Sequence, residues 1–188
     1  MPDNIFNPNL MILDFDANQD TPFKALHVIL LGVVKYFWRD AVSHVSAEGK
    51  QTLKARLTSV NVSGLDISPL RAQTLVQYAG SLVGRDFRAI LQVAPLVLHG
   101  LIPEAAYEAW LALCRLAPMV FQPSIENTPE FLVRYLNEQY LRNVVLTYQL
   151  QRCLQTRVYD FLAATALWTT RWFNKPKFHL FLHLAEHI

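Results

Sequence analysis

Apolar residues recur at helical spacing over most of the chain, and the breaks between runs carry capping residues. Asp20-Thr21-Pro22 supplies a cap followed by proline at the first helical position, and Phe23, Leu26, Leu30, Val33, Val34 and Phe37 then share one face. This predicts a buried helix of about six turns. Ser46 caps a second helix, carrying Leu53 and Leu57 and ending before Asn61-Val62-Ser63-Gly64. Ser68-Pro69 repeats the cap-plus-proline signal and predicts a third through Leu75, Val76 and Leu82, with Gly84 as its stop. Asp86 starts a fourth, which Pro95 should kink or end because its ring removes a hydrogen bond, and which His99-Gly100 closes. Pro103-Glu104 opens a fifth with Tyr107, Trp110, Leu111, Cys114 and Leu116 on one side and an interruption at Pro118.

From Thr128-Pro129-Glu130 onward there is no Gly or Pro until Pro176. Globular helices usually run about 8–20 residues, so 129–168 is either one long arm, the preferred reading, or two helices broken near Thr156. Residues 169–175 form a polar and aromatic connector, and Pro176 opens a last helix with no stop signal before Ile188. Residues 1–19, rich in Asn, Asp and Pro, read as an extended or disordered lead-in, with a short strand available at 10–13. The expected fold is mostly α: an irregular array of six or seven helices, one of them long, in a single domain over 20–188 whose last helix is cut short.

Composition sharpens that picture in two ways. The chain is 52% hydrophobic and only 17% charged, against roughly 25% charged in an average soluble protein. Surface-making residues are scarce, so a partner, another copy or the remainder of a longer protein is expected to cover part of the surface. The net charge of +2 is unevenly spread, because residues 1–20 hold four acids and no base. The rest is mildly basic, which permits a polyanionic partner without requiring one. Cys114 and Cys153 lie in apolar helical surroundings and read as reduced core residues. The acid- and proline-containing start is unlike a signal peptide, and the apolar run 25–34 is about half the length a bilayer requires. An intracellular protein with no membrane role is the expectation.

Three clusters carry candidate chemistry. His179, His183 and His187 stand at i, i+4 and i+8, a stripe on an α-helix, but its ends would be roughly 12 Å apart, too far for one zinc ion to bridge. Packing is the favoured reading, and no metal site is expected. Arg171-Trp172-Phe173-Asn174-Lys175-Pro176-Lys177-Phe178 mixes cations with aromatics, a combination that can meet phosphates and stack bases, or else anchor two helices through Trp172 and Phe173. His27 interrupts the apolar run of the first helix and reads either as a satisfied core histidine or as an active-site residue. No Gly-rich phosphate loop, nucleophile elbow or CxxC pair occurs in the sequence.

Taken together, Asp20-Thr21-Pro22 with the run from Leu26 to Asp40, Ser68-Pro69-Leu70-Arg71, Tyr78 to Arg88, and Arg171 to His179 resemble the transposases of fungal CACTA-like elements of the Plavaka type. The resemblance covers about 18–188. It implies the helical insertion of an RNase H-like transposase, in which three acids hold divalent metal for DNA cleavage and joining. In related families an acid commonly stands three positions before the histidine matched by His27, and here that position is Lys24. A cation cannot ligate magnesium, so Asp20 is the substitute, and at most one acid of the triad is expected within the chain.

The resemblance therefore implies a transposase-derived fragment, catalytically inactive alone, needing no cofactor itself although its intact parent would use Mg2+. Asp20 and His27 are the residues left from the catalytic motif. Arg171, Trp172, Lys175 and Lys177 are the DNA-binding candidates, and DNA, another copy or the parent's remainder are the implied partners. A nuclear location goes with that reading. The alternative is a helical protein–protein interaction module with no nucleic-acid role.

Overall fold

In the computed structural model, which describes residues 26–121 and 146–186, every regular element is helical. A π-helical segment, Leu26–Val34, continues into α1 (Lys35–His44), followed by α2 (Ala47–Ser59), α3 (Ala72–Gln77), α4 (Gly84–Leu98) and α5 (Glu104–Val120). Then come α6 (Leu146–Trp168), α7 (Pro176–His179) and a 3-10 segment, Leu180–Glu186. The fold is mostly α, with α6 as its long member. The lead-in with its strand, the helix start at Asp20, the start at Thr128, and His187 lie outside the described residues.

Several ends follow the expected chemistry. The Ser46 hydroxyl accepts the Gly49 N–H at 3.1 Å, capping α2. Gly100, at φ +69°, follows the end of α4, a backbone position that favours glycine. Other ends differ. Ser68-Pro69 does not start α3, which is confined to Ala72–Gln77, and Gly84 is the first residue of α4 rather than the stop of α3. Asp86 decides this: its Oδ2 accepts the Val83 N–H at 3.2 Å, closing the start of α4 from within. Gly84 has a packing role, since a Cβ there would lie 2.7 Å from Leu26 Cδ1.

Neither Pro95 nor Pro118 ends its helix. Pro95 has no N–H for the carbonyl of Leu91 one turn back. The Cys114 thiol, from α5, donates to that carbonyl at 3.3 Å instead. Where α4 ends, the Tyr107 hydroxyl donates to the Pro95 carbonyl at 3.2 Å, and Arg56 Nη1 donates to the carbonyls of Val97 and His99 at 3.1 and 2.6 Å. Neighbouring helices thus supply the donors that the backbone lacks. The break near Thr156 is also absent, because its hydroxyl donates to the Arg152 carbonyl at 2.9 Å within a continuous α6.

Phe37 is the centre of the core. Its fully buried ring stacks on Trp172 at 4.9 Å, meets Trp168 edge-on at 5.1 Å and Trp110 at 5.6 Å, and lies 5.8 Å from Phe161 and 6.2 Å from Phe178. α5 and α6 pack along each other, and the 3-10 segment covers α6. Trp38 ties α1 to α3 by donating Nε1–H to the Leu75 carbonyl at 2.9 Å. The connector after α6 therefore lies against α1, which brings its cations beside those of α1 and α2.

Candidate nucleic-acid interface

The residues singled out from the sequence separate into three groups. Asp20 and Lys24 lie outside the described residues. His27 is exposed rather than a core histidine. The π-helix accounts for this: its i→i+5 bonding turns each residue less far about the axis, so burial falls on Val28, Ile29 and Leu30 and leaves Leu26 and His27 outside.

The histidine stripe also takes another form. Only Pro176–His179 is α-helical, and the 3-10 winding that follows means that the stripe does not lie on one α-helix. The His179 and His183 rings meet edge to face at 5.1 Å. Among the described residues, no three His, Cys, Asp or Glu side chains are grouped to hold a metal ion.

The connector splits its cations and aromatics between two jobs. Trp172 is 7% exposed, packed on Phe37 and under the Arg171 guanidinium at 4.5 Å, so its ring is not open to a nucleic-acid base. Lys177 donates Nζ–H to the Leu31 carbonyl at 3.2 Å. Gly32 makes that approach possible, because a Cβ there would lie 2.6 Å from Lys177 Cδ. Arg171 donates to Asp40 Oδ1, an oxygen that His44 Nδ1 also approaches at 3.2 Å. Lys175 is exposed and has no ion-pair partner among the described residues.

Arg171 and Lys175 open onto a cleft of about 840 Å3, whose far wall carries Arg39 from α1 and Lys50 from α2. Among the described residues, four cations from separate stretches of sequence share the cleft with Asp40 as its one acid. Arg39 lies beside Gly80, in the turn after α3, where a Cβ would make ordinary contact with its Nε at 3.6 Å. Arg39 and Lys50 are the functional candidates that the sequence reading missed. Each is one of several cations on its helix, and only the packing of α1, α2 and the connector brings them together.

No protein-family model, no curated protein and no solved structure matches this chain. The cleft must be judged on its own chemistry.

Like charges gathered without counter-ions repel one another, and an arrangement that keeps them together is matched to an anion. A second pocket, of about 400 Å3, is a useful contrast. Its arginines Arg71, Arg85 and Arg88 are set against Asp66 and Asp86, and Arg71 Nη2 donates to Asp86 Oδ1 at 3.0 Å. Charge there is largely balanced.

The main cleft does not suit magnesium. That ion takes oxygen ligands, and the carboxylate available, Asp40, is already engaged by Arg171 and His44. Neither cysteine is in a disulfide, and burial pushes the Cys114 thiol up to about 12 and raises that of Cys153. Neither is suited to act as a nucleophile. No helix among the described residues is long and apolar enough to cross a membrane.

Proposed function

We propose that this chain is a helical domain derived from a DNA transposase of the fungal CACTA-like, Plavaka type, that it cuts no DNA by itself, and that it holds nucleic acid in the nucleus through its cationic cleft. The observation that carries the binding reading is the convergence of Arg39, Lys50, Arg171 and Lys175 on one cleft with Asp40 as the sole acid among the described residues that line it. The resemblance of the Asp20–Asp40 and Arg171–His179 stretches supports the origin, and Lys24 in place of the family's acid supports the lack of cleavage. Mg2+ would belong to the intact parent enzyme, held by acids that this cleft does not offer.

Fluorescence anisotropy with a labelled duplex tests the binding. Saturable binding that weakens with added salt, and weakens again in Lys50→Ala, is expected. Binding indifferent to salt and to that substitution would refute the reading. Incubating a supercoiled plasmid with protein and Mg2+ tests the lack of cleavage, and nicking that Asp20→Ala abolishes would overturn it.

A second reading, a helical protein-interaction module or self-associating domain, is favoured by the apolar side chains left outside. Leu167 is 84% exposed and Leu96 68%. Light scattering distinguishes the two: a defined oligomer indifferent to DNA supports the module, and a monomer that binds DNA supports the cleft.

A further inference from the structure

We infer that the cleft grips the sugar–phosphate backbone of duplex DNA at three points, Arg39, Lys50 and Lys175, that it reads no bases, and that Asp40 withholds the fourth cation, Arg171. This rests on the reading of the cleft as a nucleic-acid face and specifies how that face works.

The four cations are not equivalent. The side chains of Arg39, Lys50 and Lys175 have no hydrogen-bond or ion-pair partner among the described residues, which leaves their charges for phosphate oxygens. Arg171 is committed twice, to Asp40 Oδ1 and to the Trp172 ring. Asp40 is in turn held in place, its side chain only 12% exposed and also contacted by His44. It therefore occupies, within the protein, the position of a phosphate against Arg171. A DNA phosphate has to displace this carboxylate before it gains the fourth contact.

Base reading needs open aromatic faces or free amide and hydroxyl groups aimed at base edges. Several of the cleft's groups of this kind are engaged, and Tyr36 is half-buried against the core. Trp172 is packed on Phe37, the Ser43 hydroxyl donates to the Asp40 carbonyl at 2.8 Å, and the Gln77 side-chain oxygen accepts from Gln73 at 2.8 Å. Beyond the Tyr36 hydroxyl and the Gln77 amide N–H groups, what remains is cationic, and phosphate contacts position a duplex without carrying sequence information.

The salt dependence of binding counts the contacts. Anisotropy titrations of the full chain with an AT-rich and a GC-rich duplex of about 20 base pairs, between about 50 and 200 mM salt, should give log–log slopes near −2.7 for both, the value for three neutralised phosphates. Lys50→Ala and Lys175→Ala should each flatten the slope by about 0.9. Asp40→Asn should tighten binding and steepen the slope by about 0.9 as Arg171 is released.

Because Asp40→Asn also removes a structural ion pair, the double variant Asp40→Asn with Arg171→Ala is the control. It should return the slope to that of the unmodified protein, with circular dichroism verifying the fold. No binding by the unmodified protein refutes the nucleic-acid reading itself. Binding lost in Lys50→Ala but unmoved in a folded Asp40→Asn overturns the withholding alone. A more than tenfold preference between the two duplexes overturns the backbone-only grip.

Discussion

The seam between α4 and α5 and the cleft between α1, α2 and the connector treat polar groups in opposite ways. At the seam, backbone groups freed by Pro95 and by the end of α4 find partners in Cys114, Tyr107 and Arg56. In the cleft, Arg39, Lys50 and Lys175 are left without any among the described residues. The seam minimises free energy within the chain; the cleft leaves an electrostatic deficit that something outside the chain can offset. Polar groups satisfied locally mark structure, and charges left unsatisfied together mark binding.

Substitutions sharpen this contrast. Phe37→Ala should have the largest effect, about 3–5 kcal/mol of stability, because it removes the ring on which Trp110, Trp168 and Trp172 converge. Urea unfolding followed by tryptophan fluorescence measures it, and a loss under about 1 kcal/mol would mean that the cluster is not the core's centre.

Cys114→Ala should cost about 1–3 kcal/mol by leaving the Leu91 carbonyl with no donor, and Cys114→Ser, whose hydroxyl can donate, should recover part of it. Equal losses in both variants would argue that packing, not the hydrogen bond, matters at the seam.

The same thiol makes the seam sensitive to alkali. Its pKa is raised from 9.0 to about 12 by burial. Below pH 9 the thiol is protonated in both the folded and the unfolded chain, and the full stability is present. As pH rises from 9 towards 12 only the unfolded chain ionises, so stability falls over that window. Cys114→Ser should remove this part of the decline in thermal melts recorded across that range.

Lys50→Ala should have the smallest effect on folding, within about 0.5 kcal/mol and on the side of greater stability, since it relieves repulsion in the cleft. A marked destabilisation would show that Lys50 has a structural partner and would remove it from the binding group.

Much of the helical scaffold was legible in the sequence. Ser46, Pro103 and Pro176 mark helix starts, and Gly100 follows a helix end, through local chemistry that acts within one turn. The misread boundaries have long-range causes. Pro95 and Pro118 do not break their helices, and for Pro95 the missing donor comes from a residue 23 positions away from the carbonyl it serves. Gly84 is small for the sake of Leu26, a packing reason that a linear reading takes for a helix stop.

The site was half legible. The connector's mixture of charge and aromatic residues divides in alternation: Trp172 and Phe178 turn into the core while Arg171 and Lys175 face the cleft. Arg39 and Lys50 carry no local sign at all, because what makes them a site is the distance between helices.

The position of Phe37 also bears on the order of folding. Its stacking partners Trp172 and Phe178 lie 135 and 141 residues further along the chain. During synthesis the first helices therefore emerge with the stacking faces of their central aromatic uncovered, and these stay so until Trp172 and Phe178 have left the ribosome. Such distant contacts are slow to close and expose apolar surface meanwhile. A nascent chain halted before Thr169 should be the form most readily captured by chaperones, and one released after Leu184 should bury Phe37 and escape them.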